Sequence, residues 1–135
     1  MSDTPAAAHL KLKAQIILGD EIAMGPGKAD LLDAIARTGS ISAAGRALGM
    51  SYRRTWLLVD TMNRCWKEPL VETATGGNHG GGARLTDLGK RVVHSYRRMQ
   101  QTMSDCAAST EFRELLRAVR STPKPMQKSA DRPLS

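Results

Sequence analysis

The sequence predicts a mainly α fold with a small β component, and three observations carry the prediction. Apolar residues recur at helical spacing in several separate stretches between residues 27 and 119. Ser40, Ser51 and Thr86 stand at the heads of three of those stretches, where a hydroxyl can accept a first-turn N–H. Two short β-rich runs, "LVETA" and "ARL", flank a glycine-rich loop, and one alternating run opens the chain.

Taken in order, residues 1–8 are small and polar and read as a disordered amino terminus. In "HLKLKAQIIL" (residues 9–18), Leu10, Leu12, Ala14, Ile16 and Leu18 alternate with polar residues. Period two predicts a half-buried strand. Gly19-Asp20 makes a turn into a second extended piece, "EIAMG". Pro26 then suits the first turn of a helix over 27–38, in which Leu31, Leu32, Ile35 and Ala36 share a face and Gly39 is the C-cap. Ser40 caps a short second helix, with Ile41, Ala44 and Leu48 on one side and Gly49 as its break. Ser51 caps a third helix running to about Trp66, with Thr55, Val59 and Met62 inward. Trp56 is expected to be structural. Pro69 stops continuation before the strand "LVETA".

The stretch "SISAAGRALGMSYRRTWLLVDTMN" therefore reads as helix, tight break, longer helix. Ala43, Ala44 and Ala47 supply small residues where two helices must approach closely. This is a helix-turn-helix, whose second helix enters a DNA major groove amino end first. That end reads Ser51-Tyr52-Arg53-Arg54. Arginine suits bidentate contact with guanine, and free first-turn N–H groups with Ser51 suit a phosphate. Tyr52, Arg53 and Arg54 are expected to read base edges, while Lys28, Ser40, Ser42, Ser51 and Arg84 hold phosphates.

"ATGGNHGGGAR" places five glycines within seven positions between the two β runs. A strand, a loop and a strand directly behind a helix-turn-helix make a wing. Glycines at its tip let the backbone approach DNA closely, with Gly77, Asn78, His79 and Gly80 as the contacting residues. The predicted architecture is thus a winged helix-turn-helix with an amino-terminal strand and a long carboxy-terminal dimerisation helix. A net charge of +7 and a pI of about 9.9 favour a polyanion, nucleic acid before acidic membrane.

Competing chemistries fit poorly. "GPGKA" (25–29) lacks the earlier glycine and the hydroxyl of a Walker A motif, and the glycine loop leads into a strand without a lysine. No nucleophile–base pair or carboxylate pair stands out, and His9, His79 and His94 are scattered. Cys65 and Cys106 form no metal-ligand spacing. Catalysis, a metal and a cofactor are not expected. A cytosolic protein is, with no membrane association, since no run reaches the length of a spanning helix and no secretory signal opens the chain. The rival reading is an adaptor that binds a protein partner and carries its basic charge incidentally.

Around and beyond Thr86, Leu85, Leu88, Val92, Tyr96, Met99 and Met103 are spaced 3, 4, 4, 3 and 4 apart. So narrow a seam resembles a coiled-coil stripe and predicts a homodimer. Residues 111–119, with Phe112 and Leu115, offer a further amphipathic helix in the same role. Expected boundaries are a DNA-binding domain over 9–85, a helical dimerisation region over 86–120 and a disordered basic tail over 121–135.

These residues carry a resemblance. "GSISAAGRALGMSYRRTW", the "ATGG…GGG" wing and the following "LT" closely resemble the amino-terminal domain of the molybdate-responsive ModE-type regulators. More distantly the chain is similar to the winged domains of LysR-type regulators. The likeness covers roughly residues 10–104 and implies a dimeric winged helix-turn-helix on a two-fold promoter site. It implies DNA contacts from Ser51 to Arg54 and from Gly76 to Arg84. Full-length members carry a molybdate-binding region of small β-barrel modules. Only about thirty residues follow the long helix here, none of them strand-rich. That departure puts molybdate or another effector in question and predicts a stand-alone DNA-binding form.

Overall fold

A computed structural model describes residues 8–74 and 82–127 of the chain. Leu12–Ser104 form one compact unit, and the described residues on either side of it belong to a second.

The first unit opens on a hairpin, β1 (Ile16–Leu18) against β2 (Glu21–Met24), antiparallel with Ile17 opposite Ile22 and Leu18 opposite Glu21. Three helices follow: α1 (Pro26–Thr38), α2 (Ile41–Ala47) and α3 (Tyr52–Cys65). A second antiparallel hairpin, β3 (Val71–Ala74) with β4 (Gly82–Leu85), leads into α4 (Asp87–Ser104). In the second unit a 3₁₀ turn over Asp105–Ala108 precedes α5 (Thr110–Ala118), capped by Ser109 through the N–H of Phe112. The mainly helical class with a small β part is as predicted, and no described helix is long and apolar enough to cross a membrane.

The core of the first unit is built on Met24, Leu31, Leu32, Ile35, Met62 and Leu70, all fully buried. Arg97 on α4 ties this helix to α1 by ion pairs with Asp30 (2.8 Å) and Asp33 (2.7 Å). Trp66 Nε1 donates to the carbonyl of Ala23 at 3.0 Å, fixing the end of α3 to β2. Thr86 caps α4, its Oγ1 accepting from the Gly89 N–H at 2.9 Å while donating to the Pro69 carbonyl at 2.7 Å.

Four local expectations are corrected. The alternating run over 9–18 forms a strand only at Ile16–Leu18, and that strand is exposed throughout. Alternation is a local signal, but a strand needs a ladder, and β2 offers only four residues to pair with. Ala36, placed on the buried face of α1, is exposed, while Ala29 and Ala34 are buried instead. The close approach of α2 to α3 is made by Gly45, not by Ala47, which is exposed. A Cβ on Gly45 would lie 2.1 Å from Thr55 Oγ1. Tyr96, expected on the dimer seam, is 3% exposed within its own unit, and its hydroxyl donates to the Ala14 carbonyl at 2.7 Å. The chain's own amino-terminal segment fills that position.

Candidate nucleic-acid interface

The helix-turn-helix is set by its caps and its break. Ser40 Oγ accepts the Ala43 N–H at 3.1 Å and starts α2. Gly49 adopts φ 73°, a left-handed conformation that side chains rarely take, and the Met50 N–H closes the turn on the Gly45 carbonyl at 2.8 Å. Ser51 Oγ then accepts the Arg54 N–H at 3.1 Å to start α3. Thr55, the one buried polar residue of the described core, donates its hydroxyl to the Ser51 carbonyl at 2.8 Å. Among the described residues no buried side-chain nitrogen or oxygen is left without a hydrogen-bond partner.

With Thr55, Val59 and Met62 buried, the rest of the α3 head faces outward. Ser51, Tyr52, Arg53, Arg54, Trp56 and Leu57 are all exposed. At about 100° per residue, Arg53 lies nearly opposite the buried line, with Arg54 on one flank and Tyr52 with Trp56 on the other. The two aromatic rings are tilted neighbours, with centroids 6.1 Å apart and an interplanar angle of 59°.

On its own flank Arg54 meets the head of α1. A recess of about 290 Å³ is lined by Lys13, Gly27, Lys28, Met50, Arg54 and Leu58, among others. Among the described residues none of these three cations has an ion pair or side-chain hydrogen bond. Burial holds the Lys28 ammonium below the usual lysine range, and the Arg54 charge adds to that. Cys65 and Glu21 pull it partly back.

The hairpin β3–β4 is anchored rather than loosely appended. Asn63 Oδ1 accepts from the N–H groups of Leu70 (2.8 Å) and Val71 (3.1 Å), and its Nδ2 donates to the Val71 carbonyl at 3.0 Å. The Ala83 N–H donates to the Gly39 carbonyl at 2.9 Å, tying β4 to the α1–α2 turn. Arg84 stands opposite Glu72 in the ladder and forms an ion pair with it.

The structure thus brings Ser51, Tyr52, Arg53 and Arg54 together at one helix head and Lys28 to its side. Ser40 and Ser42 sit half-buried at the start of α2, and Arg84 is on a separate element with an acidic partner. Gly77, Asn78, His79 and Gly80, expected at the wing tip, lie outside the described residues. Two further residues stand beside this helix head. Lys13 reads only as the polar side of a strand, and nothing local places it beside Lys28. Trp56 carries a signal, since the inward line through Thr55, Val59 and Met62 leaves it to the side. Among the described residues no group of three His, Cys, Asp or Glu side chains is placed to hold a metal ion.

Comparison with known proteins bears on the same residues. Residues 28–90, from the head of α1 into α4, match the family described as bacterial regulatory helix-turn-helix protein, lysR family. Over 70 residues the chain is 47% identical to the molybdenum transport protein ModE of Azotobacter vinelandii, covering 52% of this chain and 26% of that protein. It is 39% identical over 99 residues to the molybdenum-pterin-binding protein MopA of Rhodobacter capsulatus, covering 71% of this chain and 35% of that one. With the DNA-binding transcriptional dual regulator ModE of Escherichia coli (strain K12) it shares 44% identity over 71 residues, 53% of this chain and 27% of the other. The chain therefore spans about a quarter to a third of the length of these relatives. Among solved structures, the full-length LTTR LysG of Corynebacterium glutamicum with bound effector Arg shares the fold. Its TM-score is 0.50 at 23% identity, over 71% of this chain and 30% of that one. By its helix-turn-helix, its hairpin and these relatives together, residues 28–90 of the chain form a helix-turn-helix domain of the ModE/LysR type.

Proposed function

We propose that this chain binds duplex DNA as a homodimer and regulates transcription from a two-fold site. The observation that carries the reading is the outward head of α3, where Arg53 and the cations of the Arg54–Lys28–Lys13 recess form no ion pair among the described residues. Arg53 and Tyr52 then read base edges. Arg54 and Lys28, with Lys13, grip a backbone phosphate beside the half-site, while Ser40, Ser42 and Ser51 contribute hydroxyl donors. Arg84 and the wing residues Gly77, Asn78, His79 and Gly80 follow the neighbouring backbone. In this reading residues 9–85 are the DNA-binding domain, 86–120 serve assembly, and the charge of +7 draws the chain to its partner.

A second copy is assigned to the apolar groove of about 390 Å³ between β1 and α4, lined by Ile16, Trp66, Leu88, Val92, Tyr96 and Met99, among others. Ile17 and Leu18 on the same strand are exposed as well. Tyr96 supports this groove from its floor, and Met103, half-buried, lies further along α4. Phe112 and Leu115 on α5 are assigned to the same association. The molybdenum roles that the relatives' names state belong to those longer proteins and form no part of this proposal.

The test is fluorescence anisotropy of labelled duplexes across a salt series. Binding is expected at low salt, with log K falling linearly against log salt by about 0.9 per neutralised phosphate. Duplexes selected from genomic fragments should bind more tightly than random ones. A chain indifferent to duplex DNA in dilute buffer would instead favour a protein-binding adaptor.

A further inference from the structure

The chain has five aromatic residues of the Phe, Trp and Tyr type, and two of them stand on the outer surface of α3. Tyr52 is 66% exposed and Trp56 38%, and the two rings neighbour one another across one helical turn. The contrast with Trp66 is informative. Trp66 turns its Nε1–H inward to a carbonyl, whereas the Trp56 Nε1–H has no partner among the described residues. Aromatic side chains carry a large apolar surface, and two left in water beside a pair of arginines need a reason.

Resting on the DNA-binding reading above, we infer that Tyr52 and Trp56 are specificity-determining residues that seat the 5-methyl groups of thymines in the major groove. The major-groove edge of a base pair is polar except at the thymine methyl. A helix entering that groove by its head presents its first two turns to the base edges. Those turns here carry a narrow apolar strip, the two rings with exposed Leu57 beside them, bounded by Arg53 and by Asp60, whose charge is matched by Arg64 at 2.9 Å. A strip so narrow and so charged at its rim suits a methyl group between phosphate rows. A protein partner would ask for a broader apolar patch.

The experiment takes the tightest duplex selected from a random pool by the full chain. Each thymine in turn is replaced by deoxyuridine, which removes the methyl and leaves the hydrogen-bonding edge intact. Wild-type chain should lose about four-fold in affinity at one or two thymines per half-site, the worth of one buried methyl-sized group. Trp56→Ala should weaken binding to the thymine duplex and no longer distinguish it from the uracil one. Trp56→Phe should keep part of the discrimination. Thermal melting controls for folding, and Trp56 lies outside the core.

Wild-type binding that ignores every thymine-to-uracil change would overturn the inference while leaving DNA recognition intact. So would a Trp56→Ala variant that still senses the methyl. Failure to select any duplex would overturn the inference together with the reading beneath it.

Discussion

Arg53 and Arg84 carry the same charge in different company. Arg53 faces solvent at the head of α3, whereas Arg84 is paired across the hairpin with Glu72. An exposed ion pair of this kind is worth about 0–1 kcal/mol, so a phosphate can compete for the arginine but gains less from it. Arg53→Ala should therefore cost about 1–3 kcal/mol on a selected site and relax sequence preference. Arg84→Ala should weaken specific and random duplexes alike and flatten the salt slope. Glu72→Gln should tighten random-duplex binding by releasing Arg84. Anisotropy titrations on both duplexes separate the roles, and equal losses for the two arginine variants on both duplexes would refute the division. Lys28 adds a pH dependence. Its folded pKa lies below that of the unfolded chain, chiefly through burial and then through Arg54, so the unfolded chain holds more protons between the two values. Stability rises with pH through that window, and the penalty of charged Lys28 is fully present below it. Lys28→Met should thus raise the neutral-pH melting temperature while weakening DNA binding. DNA affinity of the wild type should fall as pH climbs through the same alkaline window, and Lys28→Arg should flatten that fall. A Lys28→Arg titration that tracks the wild type would remove Lys28 from the phosphate site.

At the scale of elements, two glycines decide how closely neighbouring segments meet. On α2 the space for a Cβ at Gly45 is taken by the Thr55 side chain, with Oγ1 at 2.1 Å. On α4 the corresponding space at Gly89 is taken by the Leu70 carbonyl oxygen at 2.2 Å. A side chain can be shortened and a backbone carbonyl cannot. Gly45→Ala should destabilise by about 1–3 kcal/mol, the usual range for overpacking, and Thr55→Ala should recover part of it. Gly89→Ala should be at least as damaging, with no rescue from Leu70→Ala, because the clash is with main chain. Urea denaturation of the single and double variants measures both. The hairpin is held by a different device, the three hydrogen bonds of Asn63. Asn63→Ala leaves two N–H groups and a carbonyl without those partners, at a cost of about 1–3 kcal/mol for each group that water cannot reach. It should loosen the wing relative to α3 and reduce DNA affinity without touching a contact residue.

For the whole molecule the open surface is the apolar one. β1 exposes Ile16, Ile17 and Leu18, and Met99 on α4 is exposed near the same groove. Apolar area left in water is unfavourable by about 25 cal/mol per Å², and a second copy would cover it. Val92→Glu or Ile17→Glu should shift sedimentation equilibrium toward monomer while leaving the circular dichroism of the helices unchanged. The same variants should lose affinity for a two-half-site duplex far more than for a single half-site. A wild-type chain that sediments as a monomer at micromolar concentration would end the dimer proposal.

The elements were legible because their causes are local. Pro26 at a helix start, Gly39 and Gly49 at breaks, Ser40, Ser51 and Thr86 as caps, and apolar residues at helical spacing all act within a few positions along the chain. From these the helix-turn-helix, the hairpin behind it and the long helix can be read directly. Which surface each residue shares with a distant one is another matter. Tyr96 is drawn inward by the Ala14 carbonyl, 82 positions away, and Lys28 is set beside Lys13 and Arg54 by three separate segments of the chain. Among the described residues β1 pairs with β2 alone, and a ladder covers a strand's edge and not its face, so its apolar residues stay exposed. The sequence by itself determined the kind and order of the elements, since capping and periodicity are settled within one or two turns. Only the tertiary structure decided which side chains meet across them, because burial and charge crowding depend on contacts that no local spacing encodes.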